Sequence, residues 1–338
     1  MRHDPSGSTT PFNGPLFIVG MPRSGTKLLR AIISAHPRVR IPKIETEFLP
    51  YWVRNWEKFG TLSEWEEFQR FHASCRSLPF FVYLDEGNDD VDALSWYRRC
   101  KSFTPASVFE ALLRTHLEIE SDEVIWGDKS PSYIGHMQLL KQLYPEARFI
   151  HIVRDVRDYC LSIRKAWRKN MLRAAQRWAD DVSSARMIGS ALGDDYFEVR
   201  YEDLLEDPSG AAREVCAFLG VEFYEDLLNL ARPVENLGEA KDAAGILKHN
   251  AGRFRTGLND RQRRRIEAVA GKTLKELGYP CDHSGPSVRV GKARLRFLQA
   301  IDGANLLLFS ARERGIAGAL KFVSQYFVVS GNRQKPGL

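Results

Sequence analysis

PLFIVGMPRSGTKLLRAIISAHP, residues 15–37, is the stretch that decides the fold of this 338-residue chain. Pro15–Val19 is a short continuous apolar run, which is typical of a strand buried on both faces. Gly20–Gly25 forms a turn, and Thr26–Ala35 has the apolar spacing of a helix that ends before Pro37, because proline disfavours helix in the residue before it. A strand, a glycine-containing turn and a helix in this order predict a parallel α/β sheet.

Outward from this unit, the same signals alternate along the chain. Apolar runs predict three further strands, at Val124–Trp126, Arg148–Val153 and Tyr196–Val199. Helical patterns occupy Ser132–Leu143, Asp155–Lys169 with an irregular continuation toward Met187, Gly210–Leu219 and Asp260–Leu277. Residues 52–120 are aromatic-rich and helical, and we expect them to cover one mouth of the sheet; the polar residues 240–258 are expected to form a loop.

These elements predict an α/β fold, a P-loop-like three-layer sandwich with a central parallel sheet flanked by helices. We divide the chain into a flexible leader at 1–14, a main domain at 15–285 and a basic helical C-terminal extension at 286–338. The leader is rich in Ser, Thr, Pro and Gly, and the break before the extension is Gly285-Pro286.

Composition narrows the class of protein. The chain is 43% hydrophobic with a net charge of +6, a surplus that suits an anionic small ligand as well as nucleic acid. Its five cysteines are scattered without a CxxC pair, which predicts reduced thiols in place of disulfides or a zinc site. Neither a signal-peptide core nor a membrane-spanning apolar run is evident, so we expect a cytoplasmic protein.

The turn after the first strand has the features of a phosphate loop, the name used below for residues 20–27. A helix that begins directly after a glycine-containing turn directs backbone N–H groups and its dipole at one point, which favours an anion. Arg23 and Lys27 add positive charge, and Ser24 and Thr26 add hydroxyl donors around the flexible Gly25. The alternative is a tight turn that binds no ligand.

The phosphate loop differs from the nucleotide-triphosphatase pattern GxxxxGK[ST]. After Gly25 the order is Thr26-Lys27 instead of Lys-Ser/Thr, which displaces both the lysine and the hydroxyl that holds magnesium. The strand Arg148–Val153 is followed by Arg154, a cation, where a magnesium-binding carboxylate would be expected. We therefore predict a site that neutralises phosphates with arginines and uses no metal.

At this point the residues resemble the sulfotransferases that use 3′-phosphoadenosine 5′-phosphosulfate as donor, over roughly residues 15–280. The segment Pro22–Thr26 is similar to the family's 5′-phosphosulfate loop. Ile152-Val153-Arg154-Asp155 with Ser162 is similar to its 3′-phosphate motif, an arginine at a strand end and a serine two helical turns later. The resemblance implies that Arg23, Ser24, Gly25, Thr26 and Lys27 hold the phosphosulfate. It also implies that Arg154 and Ser162 hold the 3′-phosphate.

Within that family, two segments resemble the tyrosylprotein, heparan and bacterial carbohydrate or lipid branches. Residues 35–40, followed by Glu45-Thr46-Glu47, are similar to the tyrosylprotein branch. This similarity implies that Glu45 is the general base. Glu47 is the alternative, because one residue is inserted before Glu45. Residues 127–133 resemble the heparan branch, which implies that Lys129 neutralises developing charge, together with Arg23. The position of the histidine base in the phenol and steroid branch is held by Pro131.

The resemblance implies three further donor contacts, Tyr201 after a strand and Arg253 and Arg255 in a loosely matched C-terminal loop. Each candidate also has a plain structural interpretation. Glu45 or Glu47 can be helix-start carboxylates, Lys129 a solvated loop lysine, and Tyr201 a packing residue. Arg154 and Ser162 can be a surface ion-pair residue and a helix hydroxyl, His36 a helix-end residue, and His136 and His151 structural. The tryptophans of residues 52–126 can form a sugar platform, although core packing is more common.

The expected co-substrate is 3′-phosphoadenosine 5′-phosphosulfate, and the expected partner is a carbohydrate, lipid, peptide or small-molecule acceptor, with no nucleic acid. A nucleotide kinase or triphosphatase, or an inactive nucleotide-binding relative, remains the alternative function. The basic amphipathic stretch at 292–328 can lie on an anionic membrane or pack on its own domain or a partner subunit, and packing is favoured. The sequence does not fix the oligomeric state.

Overall fold

A five-stranded parallel sheet organises the protein, whose computed structural model describes residues 12–230 and 245–330. The strand order is β2-β3-β1-β4-β5, with every neighbouring pair parallel. The strands are β1 (Leu16–Gly20), β2 (Val39–Arg40), β3 (Ile125–Lys129), β4 (Arg148–Val153) and β5 (Tyr196–Arg200). The predicted fold class, a three-layer sandwich around a central parallel sheet, is confirmed.

Alternating side chains of the strands enter two different apolar cores, because successive residues of a strand point to opposite faces. On one face, Phe17 and Phe149 belong to a large core. On the other face, Ile18 and Ile150 belong to a smaller core. The helices α1 (Thr26–Ser34), α10 (Tyr201–Glu206) and α11 (Pro208–Leu219) cover the smaller core. The larger core is covered by α2 (Leu49–Asn55), α3 (Trp65–Cys75), α4 (Pro79–Glu86), α5 (Ala93–Arg99), α6 (Pro105–His116), α7 (Met137–Leu143), α8 (Val156–Trp167), α9 (Met171–Leu192), α12 (Phe254–Gly257) and α13 (Asp260–Glu276).

The segment predicted to cover the sheet, residues 52–120, is helical as expected. Its aromatic side chains pack on one another: Trp52 and Trp96 are both fully buried and stack with ring centroids 6.0 Å apart. Phe48 and Phe109 pack edge to face in the same cluster. These aromatic residues therefore belong to the core, and the sugar-platform interpretation does not apply to the buried tryptophans.

Several predicted boundaries were wrong for local reasons. The strand predicted at Val124–Trp126 lies at Ile125–Lys129, so that Lys129 is a strand residue with no exposed surface. The helix predicted from Ser132 begins as a 3-10 helix at Pro131–Gly135 and restarts at Met137. The continuation toward Met187 is a separate helix, because Arg168 adopts a left-handed conformation and Asn170 caps α9.

The C-terminal extension forms α14 (Lys292–Ser330), whose backbone leaves helical geometry at Gly315. The first part of α14 packs against α8 and α9. Within the described ranges, none of the helices combines the length and apolar character that crossing a bilayer requires. Most of the predicted leader, residues 1–11, lies outside the described residues, as do residues 240–244 of the predicted loop.

Candidate active site

The sheet register brings the predicted phosphate-binding residues to one edge. Gly20, the last residue of β1, is paired with Ile152 near the end of β4, so the phosphate loop and Arg154 leave the sheet side by side. On the other side of β1, Ile18 is paired with Lys129, the last residue of β3. In parallel sheets ligands bind outside the carboxyl ends of the strands, where these residues lie.

The phosphate loop has the backbone of an anion-binding turn. Arg23 has a φ of 71° and Gly25 a φ of 93°, and α1 begins directly after Gly25 without a side-chain cap on its first N–H groups. The hydroxyl of Ser24 is buried and has no hydrogen-bond partner in the described part of the chain. Thr26 is buried and Lys27 half-buried in the first turn of the helix. Uncapped N–H groups and an unsatisfied hydroxyl fit a phosphate oxygen at this turn.

Gly25 is fixed by a second constraint besides its backbone conformation. The Tyr201 ring lies against it so closely that an added Cβ would meet the ring at 2.3 Å. Tyr201 is itself 5% exposed, and the Arg154 guanidinium lies over its ring at 4.5 Å from the centroid. Tyr201 thus packs between the phosphate loop and Arg154, as its interpretation as a packing residue predicts.

The two motifs that the sequence placed 139 residues apart are in contact. The Arg23 Nε donates to the Ser162 hydroxyl at 3.4 Å. The Arg154 Nη1 donates to the backbone carbonyl of Arg23 at 3.1 Å, while the Arg154 Nε is buried without a partner in the described residues. Arg23, Arg154 and Ser162 therefore lie side by side at the carboxyl end of the sheet.

Residues 248–255, called the closing segment below, pack over the same location. The Asn250 carbonyl accepts from the Arg154 Nη2 at 2.6 Å, and the Asn250 side chain donates to the Tyr201 hydroxyl at 2.8 Å. Asp158, in the first turn of α8, accepts hydrogen bonds from the backbone N–H groups of Gly252 and Phe254, both at 2.7 Å. Asp158 therefore attaches the closing segment to the strand end that carries Arg154.

Positive charge accumulates beside the closing segment. The pKa of Lys165 is lowered. Partial burial is the largest cause, and the neighbouring charges of Arg253 and Arg164 add to it. The other predicted donor contact, Arg255, is exposed, with its guanidinium 5.8 Å from the Phe254 ring centroid. A group of cations close enough to perturb one another favours an anionic ligand between them.

The predicted catalytic pair is in direct contact. The Lys129 ammonium group donates a hydrogen bond to the Glu45 carboxylate, and this lysine is completely buried. A second cation, Arg30, lies close to Glu45: burial lowers the pKa of its guanidinium and the Glu45 charge opposes that effect. Arg30 is one turn after Lys27 on α1, so the Glu45–Lys129 pair is adjacent to the helix that the phosphate loop opens.

A buried polar network holds the Glu45 segment against β3. Leu49 N–H donates to the Tyr133 hydroxyl at 3.1 Å, Tyr133 is 2.8 Å from the Thr46 hydroxyl, and Thr46 donates to Asp128 at 3.2 Å. The Ser130 hydroxyl accepts from the backbone N–H groups of both Thr46 and Glu47. Burial raises the pKa of Asp128 to about 7. The network fixes the direction in which the neighbouring Glu45 points.

Two of the histidines considered from the sequence, His36 and His151, occupy structural positions. His36 is buried after α1, accepts the Arg38 N–H at 3.0 Å and stacks on Tyr224. His151 is buried on β4 beside the Tyr196 hydroxyl at 2.7 Å, and burial lowers its pKa to about 3. All five cysteines are free thiols. In the described ranges, the acidic, histidine and cysteine side chains form no group arranged to hold a metal ion.

Sequence reasoning missed Arg30, Thr46, Asp158 and Lys165. Two of them carried a usable signal, because Arg30 interrupts the apolar spacing of α1 and Lys165 follows Ser162 by three residues, on the same helical face. Thr46 and Asp158 act through partners that are distant in sequence, and no local pattern points to those contacts.

A family model described as the sulfotransferase family matches residues 15–226. The chain is 24% identical over 237 residues to protein-tyrosine sulfotransferase A of Caenorhabditis elegans, a match that covers 65% of this chain and 53% of that protein. It is 29% identical over 114 residues to omega-hydroxy-beta-dihydromenaquinone-9 sulfotransferase Stf3 of Mycobacterium bovis, covering 29% of each chain. The chain thus spans about half, or less, of the length of these relatives.

The fold is shared with a solved sulfotransferase domain. The sulfotransferase domain of the Synechococcus PCC 7002 olefin synthase superposes with a TM-score of 0.50 at 24% sequence identity, over 79% of this chain and 98% of that domain. This similarity concerns the arrangement of the sheet and its flanking helices.

Proposed function

The chain belongs to the sulfotransferase family, and from that premise we propose that it transfers the sulfuryl group of 3′-phosphoadenosine 5′-phosphosulfate to an acceptor hydroxyl or amine. The observation that carries the proposal is the convergence of Arg23, Arg154 and Ser162 at one sheet edge. Two groups of side chains that can donate hydrogen bonds to phosphate, at one edge of the sheet, suit a nucleotide with phosphates on both its 5′ and 3′ positions. The family assignment makes that nucleotide the sulfuryl donor.

Donor binding is assigned to three parts of the chain. The phosphate loop, with Lys27 and the unsatisfied Ser24 hydroxyl, holds the 5′-phosphosulfate. Arg154 and Ser162 hold the 3′-phosphate at the strand end, and the closing segment covers the nucleotide with Arg253 and Arg255. The positions of Arg253 and Arg164 support this arrangement, since their charges, together with the larger effect of burial, lower the pKa of Lys165 beside the closing segment.

Catalysis is assigned to Glu45 and the cations around it. The acceptor oxygen attacks sulfur as its proton passes to the Glu45 carboxylate, and the bond between sulfur and the bridging phosphate oxygen breaks. The electron pair of that bond stays on the phosphate of adenosine 3′,5′-bisphosphate. Lys129 and Arg23 stabilise the charge that develops there, which is the main source of rate enhancement in transfers of this type. The hydrogen bond from Lys129 supports Glu45 over Glu47 as the base.

The acceptor class is proposed as hydroxyl-bearing. The names of the two curated relatives refer to a tyrosine residue of a protein and to an omega-hydroxy menaquinone, which both present a hydroxyl group. The lining of the acceptor pocket is expected from residues 52–120 and 235–260, of which 235–244 lie outside the described residues.

The test is turnover with the full chain. Incubation with radiolabelled donor and a host-cell extract, followed by identification of the labelled product, is expected to yield a sulfated hydroxyl compound and equimolar adenosine 3′,5′-bisphosphate. Magnesium-dependent hydrolysis of ATP or GTP, with no sulfated product, would identify a nucleoside triphosphatase instead. Donor binding without turnover across a panel of hydroxyl and amine acceptors would identify an inactive relative.

A further inference from the structure

The positive charge of this chain is concentrated in its C-terminal segment. Residues 286–338 contain nine Lys and Arg residues against two Asp and Glu residues, whereas the whole chain has a surplus of only six. The remaining residues are therefore close to neutral overall, and they include the phosphate-binding site. The basic character of the segment calls for a separate explanation.

The first part of α14 docks on the protein through polar contacts. Asp302, 4% exposed, accepts from the Asn170 N–H at 2.7 Å and pairs with Arg173 at 3.0 Å. The Asn305 side chain donates to the Arg168 carbonyl at 3.2 Å, and Leu298 is buried beside them. This inward face fixes how α14 is rotated about its axis.

A second face of α14, about a quarter turn around the helix from the inward face, is apolar and open to solvent. Phe297 is 66% exposed, Ile301 40% and Leu308 64%, and Ala304 between them is also exposed. With 3.6 residues per turn, these four residues form one line along the helix, called the outer stripe below. The exposed Arg294 and Arg312 lie along one side of the outer stripe and Arg296 along the other.

We propose that the outer stripe docks on an anionic lipid bilayer, with Phe297, Ile301 and Leu308 entering the acyl boundary and Arg294, Arg296 and Arg312 contacting the headgroups. An apolar line flanked by basic residues on a helix parallel to the surface is the arrangement that binds such membranes. A second copy of this chain fits less well. A symmetric contact through the same face would bring the three arginines of one copy near those of the other.

Vesicle co-sedimentation of the full chain tests this docking. Phosphatidylcholine vesicles containing phosphatidylglycerol are expected to bind the protein at low salt, with weaker binding at high salt and on vesicles of phosphatidylcholine alone. The substitutions Arg294→Gln, Arg296→Gln and Arg312→Gln together should weaken binding about one hundredfold, since each basic residue near an anionic surface contributes about fivefold. Phe297→Ser, Ile301→Ser and Leu308→Ser together should weaken it at least about tenfold.

The matched control changes the same charge elsewhere. Arg261→Gln, Arg264→Gln and Arg265→Gln together, at exposed positions of α13, should leave vesicle binding unchanged. Met187→Ser, which removes an exposed apolar side chain outside the outer stripe, should also leave vesicle binding unchanged. Because every substituted residue is exposed, the thermal midpoint should stay the same in all variants, which excludes misfolding. Failure to bind anionic vesicles, or binding that survives both triple substitutions, overturns the proposal. So does a concentration-dependent dimer that dissociates with the outer-stripe substitutions while vesicle binding is absent.

Discussion

The ammonium group of Lys129 donates a hydrogen bond to the carboxylate of Glu45, although the two residues are 84 positions apart in the chain. Lys129 ends strand β3, which is paired with the central strand β1, and the Glu45 segment is held against β3 by Thr46 and its hydrogen bonds to Asp128 and Ser130. The contact joins a residue at the sheet edge to one in a connecting segment, so a small shift of that segment would separate them.

Replacement of Glu45 by Gln should lower turnover about one hundredfold or more, because a positioned general base contributes about 10²–10⁴-fold. Binding of adenosine 3′,5′-bisphosphate, measured by calorimetry, should be retained, since the amide keeps the shape of the carboxylate. Glu47→Gln is the matched control and should retain turnover. Normal turnover of the Glu45 variant would remove that residue from its assigned role.

Replacement of Arg154 by Ala should weaken the binding of adenosine 3′,5′-bisphosphate by roughly tenfold to one hundredfold. The guanidinium is assigned to the 3′-phosphate, and charge-assisted hydrogen bonds contribute about 1.5–3 kcal/mol. Calorimetric titration measures the effect, with Arg261→Ala on the surface of α13 as the control. An unchanged dissociation constant for the Arg154 variant would exclude it from the donor site.

Replacement of Gly25 by Ala should destabilise the protein more than replacement of Gly193 by Ala. Both glycines have positive φ, 93° and 56°, but only at Gly25 would the new Cβ meet a neighbour, the Tyr201 ring at 2.3 Å. The backbone conformation alone costs about 1–2 kcal/mol, and the overlap with the ring adds to it. Chemical denaturation measures both variants, and equal losses of unfolding free energy would show that Tyr201 does not constrain the loop.

Replacement of Asp158 by Ala should release the closing segment. The two backbone N–H groups of Gly252 and Phe254 lose their acceptor, so their amide hydrogens should exchange faster and donor binding should weaken. Asp158→Asn keeps one acceptor oxygen and should show an intermediate effect in both measurements. If exchange at these two amides stayed as slow as in the parent protein, the closing segment would be held by other contacts.

Replacement of Asp128 by Asn should change how stability depends on pH. The pKa of Asp128 is raised by burial to about 7 from an ordinary value of 3.8. Between these values the unfolded chain releases this proton and the folded chain keeps it, so the free energy of unfolding falls as pH rises. From pH 3.8 to about pH 7, the free energy of unfolding of the parent protein should fall by up to about 4 kcal/mol more than that of the Asn variant.

Urea denaturation at several pH values measures the contribution of Asp128. The exposed Asp194→Asn variant is the control and should follow the parent protein. Parallel stability curves for the parent and the Asp128 variant would show that this carboxyl titrates as an exposed one does.

The sequence predicted those parts of the site that depend on local pattern. The phosphate loop follows from a strand, a turn and a helix within residues 15–37, and Ser162 follows Arg154 by two helical turns. These short-range relationships were sufficient to place both motifs at strand ends, where a parallel sheet brings them together. The β4 strand was predicted with its observed bounds for the same reason, as a continuous buried run.

Other parts depended on contacts that no local pattern encodes. The strand before Lys129 was predicted to end at Trp126, yet Lys129 is the last residue of β3, because pairing with β1 extends that strand past Trp126. Asp158 binds a segment 94 residues later, and Thr46 binds Ser130 across 84 residues. Such contacts follow from tertiary packing, which also decides that the buried tryptophans fill the core and do not line a pocket.

The most direct test of the two-phosphate site is a calorimetric comparison of adenosine 3′,5′-bisphosphate with adenosine 5′-phosphate on the full chain. If Arg154 and Ser162 hold a 3′-phosphate, loss of that group should weaken binding by roughly one hundredfold in the parent protein, and the Arg154→Ala variant should bind the two nucleotides almost equally. Equal affinity of the parent protein for both nucleotides would contradict the assignment of a 3′-phosphate site.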